Sequence, residues 1–182
     1  MIPRSRNLLA TGLAATLAVT LARTQAAGES LPGGKPAKVE LPPLQLIVDV
    51  PPPWRPFLAD DLADAFASRT AEVFRRQGYR GEVKFIPMGE PDKDRPLLAV
   101  RLISWRIGRT DNAQCTFSAS VTTGGREESL GVFDHTILAW NGSMRRWGLA
   151  HAMGDAADAG LRDLARKLAQ SGAVPGFPAV KK

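Results

Sequence analysis

From residue 44 onward the chain alternates between two hydrophobic periods, and each change of period marks an element. Leu44, Leu46, Val48 and Val50 take every second position, the spacing of a strand, and Pro51-Pro52-Pro53 closes it. Leu58, Leu62, Phe66, Val73 and Phe74 return at helical spacing, which predicts a helix over about 57–77. Pro56 suits its first turn, and Asp60, Asp61 and Asp64 stand near the positive end of its dipole. Arg75 and Arg76 stand near the negative end, and Gly78 is placed for a C-terminal cap. Residues 82–87 read as a short second strand. Residues 97–108 make a third, with Leu98, Val100 and Leu102 on one face and Leu97, Ala99, Ile103, Trp105 and Ile107 on the other. Two apolar faces are the mark of a central strand.

Residues 113–122 alternate without a break. Ala113, Cys115, Phe117, Ala119 and Val121 point inward, and Gln114, Thr116, Ser118, Ser120 and Thr122 outward, a strand with one wet face. Thr123-Gly124-Gly125-Arg126 makes a hairpin turn. A fifth strand follows over about 130–140, and Asn141-Gly142 turns out of it. A second helix over about 149–170 carries the stripe Leu149, Met153, Ala156, Ala157, Gly160, Leu161, Leu164 and Leu168, whose small members let it sit close on a sheet. The order β-α-β-β-β-β-α predicts an α+β fold in two layers, one mainly antiparallel mixed sheet with two helices on one face. If the first two strands are parallel neighbours, their crossover is right-handed. The expected domain covers 44–170. Residues 27–43, with Pro32, Gly33, Gly34, Pro36, Pro42 and Pro43, read as a flexible linker, and 171–182, with Pro175 and Pro178, as an irregular tail.

The N-terminus changes the picture. Arg4 and Arg6 precede an uncharged run from Leu8 to Leu21, and a small-residue stretch follows with Ala26 at a fitting cleavage position. Residues 1–26 therefore read as a secretory signal peptide, cut off in the mature chain. The run is shorter than the roughly 20 residues that span a bilayer, so no transmembrane anchor is expected after cleavage. The lone cysteine lies far from the cleavage zone, so no lipid anchor is expected either. Without adjacent arginines in the leader, general export is favoured over the twin-arginine route. The expected location is periplasmic or extracellular. The 182 residues carry 24 basic and 18 acidic side chains, net +6, but loss of Arg4, Arg6 and Arg23 leaves +3. That balance, together with export, argues against nucleic acid as a partner.

Candidate chemistry is sparse. One cysteine excludes an internal disulfide and a Cys-rich zinc site, and two histidines leave little for a His-based metal centre. No Walker loop, dinucleotide fingerprint or Gly-x-Ser-x-Gly elbow occurs, and no cofactor is expected. Ser143, His151 and Asp155 could be arranged as a hydrolytic triad, but His151 and Asp155 are spaced as an ordinary helix-surface pair. Asp134 and His135 are adjacent on a strand and so face opposite ways. Asp60, Asp61 and Asp64 are explained by the helix dipole, and Glu90, Asp92 and Asp94 by a solvated loop, with no calcium-loop spacing. Cys115 reads as a buried small hydrophobe. Asn141-Gly142-Ser143 matches a glycosylation acceptor but also an ordinary turn.

The set that folding explains least is basic and aromatic: Trp105, Arg106 and Arg109 at the end of the third strand, and Trp140, Arg145, Arg146 and Trp147 around the turn before the second helix. Core or rim packing accounts for tryptophans in general, yet Trp beside Arg is also the composition of an interface. Trp105, Arg106, Arg109, Arg145, Arg146 and Trp147 are thus the candidate partner-binding residues. The strand at 44–50, the polar-alternating strand at 113–122 with its Gly124-Gly125 turn, and the Ala-rich helix at 155–168 together resemble small bacterial envelope proteins. The similar groups are the lipopolysaccharide-assembly lipoprotein and the ABC-transport auxiliary lipoproteins, though the lipobox cysteine of those families is missing. The resemblance is architectural and implies non-catalytic binding of a protein or lipid. The expectation is an exported, non-enzymatic envelope accessory protein that binds an envelope protein or an anionic glycolipid. The alternatives are a small secreted hydrolase and a self-assembling structural subunit joined through a sheet edge.

Overall fold

A computed structural model of the chain describes residues 41–51, 56–108, 112–138 and 146–178. The predicted signal peptide, most of the predicted linker and the Asn141-Gly142-Ser143 turn lie outside the described residues. Seven elements follow in the expected order: β1 (Leu44–Asp49), α1 (Pro56–Arg76), β2 (Val83–Phe85), β3 (Leu97–Ile107), β4 (Asn112–Thr123), β5 (Arg126–Leu138) and α2 (Arg146–Ser171). The strands form one mixed sheet in the order β2-β1-β3-β4-β5. β1 runs parallel to both β2 and β3, while β3, β4 and β5 form the longer antiparallel part. The chain is an α+β protein.

Local chemistry sets the ends of the elements. Pro56 opens α1, where its missing N–H is no loss. At the other end Gly78 takes a φ of 85°, its N–H donates to the Arg75 carbonyl at 3.0 Å, and the Tyr79 N–H donates to the Phe74 carbonyl at 3.0 Å. That pair of bonds is a Schellman cap, which needs a residue at positive φ. β5 begins earlier than the alternation suggests because Gly124 and Gly125, both at positive φ, make a two-residue hairpin that opposes Thr123 to Arg126. One expectation fails: α1 starts at Pro56 and has no acid in its first turn. The dipole fades within that turn, so it does not account for Asp60, Asp61 and Asp64.

β3 departs from its reading in an instructive way. Its core-facing residues are Leu98, Val100 and Leu102, then Trp105, while Ile103 is 48% exposed. A bulge between Leu102 and Ser104 inserts Ile103 and reverses the alternation. The two apolar faces of the sequence are therefore one core face that changes phase halfway, although β3 is indeed the central strand. β5 repeats the device. Ala119 opposes Gly131 and Ser120 opposes Ser129, so Leu130 is the extra residue, buried, with Gly131 at φ 90° beside it.

The core lies between the sheet and both helices. Phe66 of α1 meets the edges of Trp105 (5.7 Å between centroids) and Phe117 (5.3 Å), and Phe117 stacks on Phe133 at 5.2 Å. α2 reaches the sheet at Gly160, where an added Cβ would stand 2.7 Å from the Phe117 ring. The two helices are joined by Asp158, which receives Arg69 at 2.7 Å and Arg76 at 3.0 Å. Residues 172–178 are irregular and packed. Val174 is buried, and Phe177 lies against Phe74 and Tyr79.

Candidate binding surface

Among the described residues, helices cover one face of the sheet and no helix or strand covers the other. The alternation of β4 puts Gln114, Thr116, Ser118, Ser120 and Thr122 on the open side, all half-buried. Across the strands the rows read Asp49–Arg101–Ser118–Val132 and Ile47–Ala99–Ser120–Ser129. The small side chains of Ala99, Ser118, Ser120 and Ser129 leave a shallow depression of about 340 Å³, bounded by Ile47, Asp49, Arg101 and Glu127. Asp49 and Arg101 pair loosely at 3.5 Å, both well exposed and hence screened. Asp134 accepts from the Thr116 hydroxyl at 2.8 Å and from the Gln114 amide at 3.5 Å. The face is polar, rich in hydroxyls and of mixed charge.

Its outer boundary is β5, thirteen residues long. Val132 and Leu138 are each 64% exposed, large apolar residues on the solvent side of the strand that borders the sheet. Among the described residues, no strand pairs with the outer side of β5. Lys167 of α2 donates to the Leu130 carbonyl at the bulge.

A separate cleft of about 320 Å³ opens at the C-terminal ends of β1 and β2, beside α1. Val48, Phe85 and Met88 give it an apolar wall, and Asp60 and Asp64 are its acidic residues on α1. Among the described residues no group of three or more His, Cys, Asp or Glu stands close enough to hold a metal ion, these acids included.

Of the predicted partner-binding residues, Trp105 and Arg106 take opposite faces of the sheet. Trp105 is 8% exposed and belongs to the core, its indole N–H donating to the Met153 carbonyl at 2.9 Å. Arg106 is exposed and opposes Gln114, so it joins the open face. Arg146 and Trp147 fall in the first turn of α2, with their side chains outside the described residues. Arg109, Trp140 and Arg145 also lie outside them.

The hydrolytic candidates separate as well. His151 and Asp155 are both exposed, and no bond joins them. Asp134 and His135 face opposite sides of β5. Asp134 meets Thr116 on the open face, and His135 meets Asp163 of α2 at 3.0 Å. Asp92 is occupied with its own loop: Arg95 pairs with it at 3.0 Å and the Asp94 N–H donates to it at 3.1 Å. Its backbone is clasped by the Gln45 amide, which donates to the Asp92 carbonyl and accepts from the Asp92 N–H, each at 2.7 Å. Cys115 is fully buried, and burial, assisted by the charge of Asp134, pushes its thiol up to about 12. A thiol held protonated is no nucleophile. Burial also pushes the phenol of Tyr79 up.

Exposed Val132 and Leu138 escape the sequence pattern. Both take outward positions beside Asp134 and Thr136, but the bulge at Leu130 hides the register that assigns them to the open face.

Neither a protein-family model nor a curated protein sequence matches the chain. Solved structures do. An uncharacterised protein aligns with a TM-score of 0.53 at 12% identity, over 71% of this chain and 95% of that one. A DUF330 protein from Xanthomonas campestris aligns with a TM-score of 0.52 at 14% identity, over 75% of this chain and 91% of that one. PelC from Paraburkholderia phytofirmans, a dodecamer, follows at 0.49 and 13% identity, over 71% and 86%. Bacterial proteins described as minor and rare lipoproteins align with lower scores, 0.38 and 0.31. At these identities the likeness is one of fold alone.

Proposed function

We propose that this chain is an exported, non-enzymatic accessory protein of a bacterial envelope that binds another protein through the open face of its sheet. Export rests on the leader at 1–26. The observation that carries the binding role is the open face of β3, β4 and β5, floored with Ser, Thr and Ala and flanked by exposed apolar residues. A protein partner suits this face better than an anionic glycolipid, because its charge is mixed: Asp49, Glu127 and Asp134 stand on it beside Lys84, Arg101 and Arg106. The test is a photo-crosslinking residue placed in intact bacteria at Ser118, on the open face, and separately at Glu72, on the outer side of α1. The expected result is an adduct of defined mass from position 118 and none from 72. Silence at 118, or the reverse pattern, overturns the proposal. The long edge of β5 favours a second reading, a self-assembling subunit.

A further inference from the structure

The two borders of the sheet are protected unequally. β2 has three residues, too short a border to template another strand, and it carries exposed Lys84 and is soon followed by Pro87 and Pro91. The first part of β5 is guarded too, by the charges of Arg126, Glu127 and Glu128, by the bulge at Leu130, and by Lys167 on the Leu130 carbonyl. Beyond Gly131 these devices thin to a single carboxylate, Asp134. The remaining stretch, Val132 to Leu138, holds no lysine, arginine, proline or glycine and displays two large apolar side chains, each 64% exposed.

We propose that this stretch pairs antiparallel with the same stretch of a second copy, about a twofold axis at His135. The pattern is self-complementary there and the occupant follows from it. With His135 opposite its own copy, Val132 falls opposite Leu138 of the other chain and Leu138 opposite Val132, so the two exposed apolar residues cover each other twice. Asp134 falls opposite Thr136, an acceptor opposite a hydroxyl donor, again twice. On the helix side Phe133 falls opposite Ile137, apolar against apolar. Residues directly opposite in such a pair lie roughly 5 Å apart, close enough for each match to count. The interface is isologous, so it closes on two copies and joins two five-stranded sheets into one. The open faces of both copies remain free. This pairing rests on the self-assembly reading and names its register.

The experiment uses the full chain and compares it with three variants by sedimentation equilibrium. The wild-type chain is expected to be a dimer in equilibrium with monomer. Val132→Lys with Leu138→Lys is expected to raise the dissociation constant by roughly tenfold or more, since both apolar matches are lost and like charges are added. Thermal unfolding of that variant at low concentration is expected to match the wild type, because both positions are exposed in one copy. Met88→Lys, at an exposed apolar site away from β5, is expected to leave association unchanged. The register is read with thiols, Cys115 being buried. A chain carrying both Val132→Cys and Leu138→Cys is expected to be linked into a covalent dimer by a short bifunctional thiol reagent. Val132→Cys alone is expected not to be linked, because two copies of position 132 would lie roughly 20 Å apart along the strands. A wild-type chain that is monomeric throughout overturns both the pairing and the self-assembly reading. A dimer that survives the lysines, or that links through Val132→Cys alone, overturns this pairing and leaves self-assembly standing through another surface.

Discussion

The two sides of β4 are one backbone in two environments. On the helix side Ala113, Cys115, Phe117, Ala119 and Val121 are between 0 and 4% exposed, and Phe117 meets Phe66, Phe133 and Gly160. On the open side Gln114, Thr116, Ser118, Ser120 and Thr122 carry hydroxyls and amides, half-buried, with no helix over them among the described residues. The inner side is a packing surface, where each atom has a neighbour and any change of volume costs energy. The open side is an adaptable surface, where serines and threonines satisfy themselves locally or with water. The difference teaches that the packed core and the polar open surface occupy opposite faces of the same strands, so each can be altered separately.

Four substitutions probe that division, in falling order of effect. Phe117→Ala removes the ring on which Phe66, Phe133 and Gly160 converge and is expected to cost about 3–5 kcal/mol in denaturant unfolding. A cost below about 1 kcal/mol would show that the inner side is not close-packed. Cys115→Ala is read in alkali. The folded thiol is pushed up to about 12 from an ordinary value near 9, so the folded state holds its proton more tightly than the unfolded chain does. The resulting stability is whole below about pH 9 and declines as pH climbs towards 12, by at most about 1.4 kcal/mol per pH unit. Cys115→Ala is expected to flatten the alkaline limb of the stability curve, and an unchanged slope would break the argument. Gly160→Ala drives a methyl into the Phe117 ring and is expected to cost about 1–2 kcal/mol, overpacking outweighing the helix preference for Ala. Ser118→Ala, directly across the strand from these sites, is expected to stay within about 0.5 kcal/mol, and a larger loss would mean that the open side also carries the fold.

The uninterrupted alternation of β4 makes its two faces and its burial legible in the amino-acid sequence, and the Gly124-Gly125 turn and the helix cap at Gly78 are legible for the same local reasons. β3 and β5 are harder. Each contains one extra residue, Ile103 or Leu130, and a single insertion exchanges the faces of everything beyond it. The phase change makes β3 look apolar on both sides and hides Val132 and Leu138. Trp105 is legible as a residue in need of a partner, but its carbonyl acceptor at Met153 lies on an element 48 residues away, a distance no pattern spans. The packing of Val174 and Phe177 is obscured by Pro175 and Pro178, which mark irregular backbone and say nothing of burial.

That packed segment has a consequence for how the fold closes. Phe177 closes one side of the core against Phe74 and Tyr79, and the Gly176 carbonyl accepts from the Arg80 N–H at 3.0 Å. Irregular backbone acts here as a clasp: it pins the loop that leaves α1 and roofs two aromatic rings, so loosening it would admit water to the interior from that side.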